Sequence, residues 1–327
     1  MELGEKWVKL WEKGKGGVYQ SWEWIVLQEK LSNKPIFLSI EDSKNGDFLA
    51  GICAFEKTLK TPLGEKKILT VRGSPIFLDY NSGAKVLENF KNESKKYFYG
   101  TIMPSVRHDK EALFMELGYK KVVNNTILID LKKDKTELWK NLEKKSIRWG
   151  IKTGEKNGLI FKIAENELDV NAFYSMYSDT AKLGGFSAEK KEFIEGLRDS
   201  EISRLFLVYS NEKVVAGGLA LIDKNNNILT LDLTGSNEEG LKLQAMPFIY
   251  WNILLYGMKN GLDIFDLGGY DAEARVGDKT YNINKFKERF GGEITEQPIF
   301  SSGNRYPILR KVISKIRIVK KFYKKSD

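Results

Sequence analysis

Helix-like and strand-like stretches alternate along this whole chain, an order that admits few folds other than layered, mixed α/β ones. In the first half, Lys6–Lys13 has helical spacing and Val18–Lys30 reads as a second, tryptophan-rich helix. Pro35–Ile40, Phe48–Lys57 and Lys67–Val71 run apolar or alternate over short stretches, as strands do. Arg72-Gly73-Ser74-Pro75 is a turn into Ile76–Leu78, Gly83–Lys96 a helix, and Phe98–Met103 a strand stopped by Pro104. A helix over Lys110–Leu117 ends at Gly118, and Thr126–Asp130 closes the half. The second half repeats the logic. Thr136 is the expected N-cap of a helix reaching Gly154, followed by a strand at Leu159–Ile163 and helices at Val170–Lys182 and Lys190–Arg198. Arg204–Tyr209 and Val214–Ile222 flank a hairpin turn at Asn211-Glu212, with Ile228–Leu233 pairing next. Pro247–Lys259 is a helix, Ile264–Leu267 a strand, and Asn282–Phe290 a short helix before Gly291-Gly292. The fold class expected is therefore α/β with partly antiparallel sheets, in two units of similar plan.

Composition narrows the chemistry. At 327 residues, with 42% hydrophobic and 12% aromatic residues, the chain can bury two real cores. No apolar run reaches the roughly 18 residues of a transmembrane helix, and Met1–Trp11, amphipathic with two glutamates, does not read as a secretory signal. The single cysteine, Cys53, sits in a strand-like run and is expected in the core, which fits a cytoplasmic protein. With one histidine, His108 in the polar string Arg107-His108-Asp109, a multi-histidine metal centre is excluded, and no metal or other cofactor is expected. A solvated loop is the expected setting for His108.

Two segments carry chemistry. FDLGGYD, Phe265–Asp271, places Gly268-Gly269 directly after a strand, where the backbone can turn. NKFKERFGG, Asn284–Gly292, follows on a short helix, with Phe286 and Phe290 one turn apart on its buried face. That sets Lys287 beside packed aromatic rings, where a cation can be held in position.

D-x-GG followed by FK-x-x-F-G resembles the C-terminal signature of the FemABX (Fem-type) aminoacyltransferases. Gln20-Ser21-Trp22-Glu23-Trp24, Arg72-Gly73-Ser74-Pro75, the helix with Arg148 and Lys152, Thr234-Gly235-Ser236 and the helix around Trp251 agree in order, from about Gln20 to Gly292. The resemblance implies two tandem GNAT-like acyltransferase domains, 1–131 with the returning segment 298–327 and 132–297, in a compact form without a coiled-coil arm between Leu159 and Phe186. It implies transfer of an amino acid from aminoacyl-tRNA to an amine of a peptidoglycan precursor or similar acceptor. Lys287 takes the catalytic role, with Phe286, Gly268, Gly269, Asp271, Arg72, Trp24 and Lys190 around the substrates. On the acceptor side the chain departs from the family: Met103 precedes Pro104 where an acidic residue is common, Gln28 stands where a lysine often does, and Lys190 and Lys191 stand where an arginine is expected.

Charge is uneven. Residues 304–327 hold nine basic side chains against Asp327 alone, or +8 of the net +9. This tail fits a docking helix, a tRNA contact or a helix on the anionic inner membrane face. Lys140–Lys156 carries six basic residues against Glu143 and Glu155, and in the family context Lys144, Lys145, Arg148 and Lys152 are candidates for tRNA phosphates. Two other readings stand beside the first. One is an acyl-CoA-dependent N-acyltransferase, against which Asn237–Pro247 lacks the Q/R-x-x-G-x-G/A pyrophosphate loop and begins acidic. The other is a non-catalytic tRNA- or membrane-binding relative.

Overall fold

The computed structural model describes residues 2–61, 64–106, 109–184 and 187–313. The chain divides into two compact units, Met1–Val123 with Gln297–Asp327 and Asn124–Glu296. The first opens with α1 (Leu3–Lys13) and α2 (Trp22–Lys30). The expected helix from Val18 starts later because Ser21 is extended and its hydroxyl accepts from the Trp24 amide at 3.2 Å, an N-cap preceded by a short 3-10 turn. Strands β1 (Lys34–Glu41), β2 (Phe48–Thr61), β3 (Gly64–Arg72) and β4 (Ile76–Phe77) follow, then α3 (Tyr80–Glu93), β5 (Gly100–Met103) and α4 (Glu111–Glu116). β1, β2 and β3 pair antiparallel in that order, and β5 joins β3 in parallel from Leu69↔Gly100 to Arg72↔Met103.

The second unit takes β6 (Lys120–Asp130) and continues with α5 (Lys135–Asn141), α6 (Trp149–Lys156) and β7 (Ile160–Ile163). Asp134, not Thr136, caps α5: its carboxylate accepts from the amides of Thr136 and Glu137 at 2.7 and 2.9 Å. The expected single helix to Gly154 is broken. Leu142 and Glu143 are extended, and Lys144–Arg148 forms a π-helical turn before α6. The cause is distant in sequence. The Glu143 amide donates to the Arg289 carbonyl at 2.8 Å and its carboxylate pairs with the Arg289 guanidinium at 2.9 Å.

Helices α7 (Glu167–Gly184) and α8 (Lys191–Arg198) lead to β8 (Ser203–Ser210), β9 (Lys213–Asp223) and β10 (Ile228–Ser236). The β8–β9 turn places Asn211 and Glu212 at φ of 45° and 67°, the left-handed pair whose twist suits a tight hairpin. Then come α9 (Glu238–Lys242), α10 (Ala245–Lys259), β11 (Ile264–Tyr270) and α11 (Lys279–Glu288). The strand order is β6-β11-β10-β9-β8-β7, antiparallel except for β10 and β11. Strand β12 (Glu293–Ser301) leads into the first unit, where Phe300 and Ser301 pair with β5. Among the described residues each unit thus contains a parallel strand pair, β3 with β5 and β10 with β11, the arrangement at whose carboxyl ends ligands bind in open α/β sheets.

Each unit has its own core. In the first, Phe114 and Phe300 stack at 4.1 Å among Ile52, Val86, Phe90 and Ile102. In the second, α10 is apolar nearly all round and is buried with Phe206, Phe265 and Phe290. Cys53 is fully buried, as expected. Among the described residues no helix is long and apolar enough to cross a membrane. The tail begins as a helix at 305–313, with the Tyr306 ring 5.1 Å from Tyr99 and Arg305 donating to the Phe98 carbonyl. His108, Gly185, Phe186 and residues 314–327, with most of the basic tail, lie outside the described residues.

Candidate active site

Parallel pairing of β10 with β11 stops at Thr230↔Asp266, and the β11–β6 register is irregular from Asp266 to Gly269. Gly268 takes φ +74°, and a Cβ there would come within 3.0 Å of the Leu231 carbonyl oxygen. Only glycine fits both demands. The buried Asp266 carboxylate accepts from the Gly268 amide at 2.9 Å and from the Thr126 hydroxyl, fixing the turn from below.

The turn presents two carbonyls to one cation. Lys287 Nζ donates to the carbonyl oxygens of Gly268 and Gly269 at 3.0 and 2.9 Å. An ammonium has three N–H donors, so one is left for a ligand among the described residues. The Lys287 side chain is buried, and burial brings its pKa down to about 8, against the opposing attraction of Asp266. At neutral pH it is still mostly a cation, held where little water screens it.

Helix α11 is fixed on several sides. Buried Asn284 clasps the backbone of Asp271, accepting from its amide at 3.2 Å and donating to its carbonyl at 2.7 Å. The Tyr270 hydroxyl donates to Glu288 at 2.9 Å, and Lys279 donates to the Leu183 carbonyl. Below, the rings of Phe286 and Phe290 lie 5.1 and 5.2 Å from that of buried Tyr250, whose pKa burial pushes up to about 12. The structure therefore brings Lys287, Phe286, Gly268, Gly269 and Asp271 together. Sequence reasoning missed Asn284, Asp266 and Tyr250. Asn284 was the findable one, because it falls one helical turn before Lys287 on the same side.

A buried, charged lysine carries a stability cost. A lowering from 10.5 to about 8 corresponds to about 3 kcal/mol at about 1.4 kcal/mol per unit. Because the folded pKa is depressed, the penalty is complete below about 8 and fades as pH rises toward the unfolded value. Lys287→Met is expected to raise unfolding stability by about 1–3 kcal/mol at neutral pH, the two abandoned carbonyls offsetting part of the gain. Urea denaturation at neutral pH and near pH 10 checks this: the gain should shrink at the higher pH.

In the first unit, Arg72 and Trp24 form their own cluster at the end of the β3/β5 pair. The Arg72 guanidinium lies 4.1 Å from the Tyr19 ring centroid and 6.0 Å from that of Trp24, and those two rings meet edge to face at 5.0 Å. Buried Gln20 holds the backbone there, donating to the carbonyls of Arg72 and Cys53 at 3.0 and 3.1 Å. Gln28 is buried and accepts from Asn33, so it is committed internally. Lys190 is exposed, whereas Lys191 pairs with Glu195 and Glu167. Lys144, Lys145 and Lys152 are exposed and Arg148 is half-buried.

Comparison with known proteins agrees with this architecture. Residues 143–281 match the acetyltransferase (GNAT) domain family. The chain is similar in structure to FemX (TM-score 0.73, 14% identity, covering 96% of this chain and 99% of that one). It is also similar to the C-terminal domain of a putative lysylphosphatidylglycerol synthetase from Agrobacterium fabrum (0.65, 12%, 95% and 96%). A tandem GNAT protein from the clavulanic acid biosynthesis pathway matches at 0.54, with 8% identity over 92% and 95% of the two chains. No curated protein sequence matches the chain. The chain shares the fold of these structures, two GNAT-like domains in tandem.

Proposed function

We propose that this protein is an aminoacyltransferase that moves an amino acid from aminoacyl-tRNA to an amine of a peptidoglycan precursor or similar acceptor. The acceptor nitrogen attacks the ester carbonyl, a C–N bond forms, the C–O bond to the ribose breaks, and the ribose oxygen leaves with a proton. Negative charge develops on the carbonyl oxygen during the attack, and the observation that carries the reading is Lys287. Its ammonium is anchored by two carbonyls with one donor to spare, in a buried setting where a fixed cation is worth far more than in water. The ester is already activated, so positioning supplies much of the remaining acceleration. No histidine or metal is required by this chemistry. In the first unit, Arg72 on its aromatic bed is assigned to the acceptor, and Lys144, Lys145, Arg148 and Lys152 to tRNA phosphates. The reaction is placed in the cytoplasm, with the basic tail available to the inner membrane face.

A second reading, transfer from an acyl-CoA, is favoured by the match of residues 143–281 to an acetyltransferase family. Against it, the turn after β10 starts with Glu238 and Glu239 in the first turn of α9, where a pyrophosphate would meet like charge. The test is to incubate the protein with charged tRNA and, separately, with acetyl-CoA, each with cell-wall precursors and with phosphatidylglycerol as acceptors. Transfer from charged tRNA to an amine is expected. Transfer from acetyl-CoA alone would overturn the reading, and transfer to the lipid hydroxyl would move the acceptor.

A further inference from the structure

Helix α6 turns one face outward. Gly150 and Gly154 let it close on α10: a Cβ on Gly150 would come to 2.8 Å of Pro247 Cγ, and one on Gly154 to 3.1 Å of Phe248 Cβ. Ile147 and Ile151 are buried on that side, so the helix cannot roll. Trp149, Lys152 and Lys156 then share the outer face. Trp149 is 54% exposed and makes no ring contact or hydrogen bond among the described residues. Lys145, Lys152 and Lys156 are exposed and form no ion pair among the described residues. Of the two acidic neighbours, Glu143 is committed to Arg289 and Ser146, and Glu155, exposed on α6 itself, forms no ion pair with these lysines among the described residues.

A large apolar ring left in water on a helix face with cations that form no ion pair among the described residues is an uncommon surface. It suits a ligand with a flat π-face on an anionic backbone. A membrane surface would call for several apolar side chains along the helix, and Trp149 is the one exposed apolar residue of α6. A duplex keeps its base faces inside the stack, where an indole cannot reach them. The position also fits. Glu143 binds Arg289, which lies two residues beyond Lys287, so the π-turn that leads into α6 is tied to the end of the helix carrying the candidate catalytic lysine. π-helical turns of this kind concentrate at functional sites.

We propose that Trp149 stacks on an unpaired base of a single-stranded RNA segment while Lys145, Lys152 and Lys156 neutralise its phosphates. This rests on the reading of the donor as aminoacyl-tRNA, whose ester lies at the end of an unpaired 3′ strand, and it adds the feature of that donor which the protein grips.

The test uses the full chain and a fluorescently labelled single-stranded RNA of about 12 nucleotides, with binding followed by anisotropy over a range of salt. Trp149→Ala is expected to weaken binding by about tenfold or more with its salt slope unchanged, and Trp149→Phe to stay within about threefold of wild type. Lys152→Gln should lower the salt slope by about 1. Wild-type affinity in Trp149→Ala would overturn the proposal. So would equal competition by a duplex of the same length, or binding to phosphatidylglycerol vesicles with none to RNA. If transfer from charged tRNA fails while Trp149-dependent RNA binding persists, the functional reading falls and this inference stands. If transfer proceeds and Trp149→Ala leaves it unchanged at subsaturating tRNA, this inference alone falls.

Discussion

Lys287→Ala is expected to slow single-turnover transfer from aminoacyl-tRNA by about 10²–10³-fold, the loss seen when one fixed oxyanion-stabilising donor is removed. The loss should fall on the chemical step. The side chain is short of solvent and its Nζ is anchored by the Gly268 and Gly269 carbonyls, so it offers the donor one N–H and little general attraction. Charged-tRNA affinity should therefore change by less than about threefold, because an interaction made mainly in the transition state leaves ground-state binding intact. Lys287→Arg should not rescue the rate. A planar guanidinium cannot place one donor on each carbonyl and a third toward the ester from the same point. An Arg variant that transfers at the wild-type rate would mean that charge alone suffices, and that the two-carbonyl anchor of Nζ is incidental.

Phe290→Ala is expected to cost about 3–5 kcal/mol of stability, a large part of the ordinary total of about 5–15. The ring is 2% exposed and lies 5.2 and 5.3 Å from the rings of Tyr250 and Phe286. Truncation would leave a cavity that the neighbours cannot close, because Gly291 immediately after it is locked at φ +74° against Asn141. Urea denaturation measures the loss. Phe286→Ala, where the ring is only half-buried, should cost less stability while loosening the same helix. A Phe290→Ala loss below about 1 kcal/mol would show that α11 is not held from beneath in this way.

The sequence carried the layered plan well, because the alternation of periods is a local property that each segment declares for itself. Two units of similar plan could be expected from element order, and the resemblance carried by FDLGGYD with NKFKERFGG implied that both are GNAT-like. The Asn211-Glu212 hairpin was also legible, since turn chemistry is local. What escaped was set by contacts distant in sequence. The helix expected to run unbroken to Gly154 parts at Glu143 because Arg289, far along the chain, takes both its amide and its carboxylate. The cap of α5 moved from Thr136 to Asp134, whose carboxylate reaches two amides at once. Helix α11 begins at Lys279 and not near Asn282, with Asp278 preceding it in extended conformation. Within the candidate site, the family resemblance pointed to Lys287, but neither resemblance nor spacing revealed what anchors it. Asn284 and Tyr250 act through partners that only folding brings near. Nothing in the sequence singled out Trp149, because its outward side is set by the close approach of Gly150 and Gly154 to α10.

Lys287 acts as a buried cation whose pKa burial brings down to about 8. The direct test is the ratio of wild-type to Lys287→Ala single-turnover transfer from aminoacyl-tRNA across a pH series, since titration of the acceptor amine cancels in the ratio. If the ammonium stabilises the developing oxyanion, the ratio is constant at neutral pH and below, then falls as pH rises through about 8. A ratio that rises through that range would make Lys287 a general base. One that stays near unity throughout would remove it from the reaction.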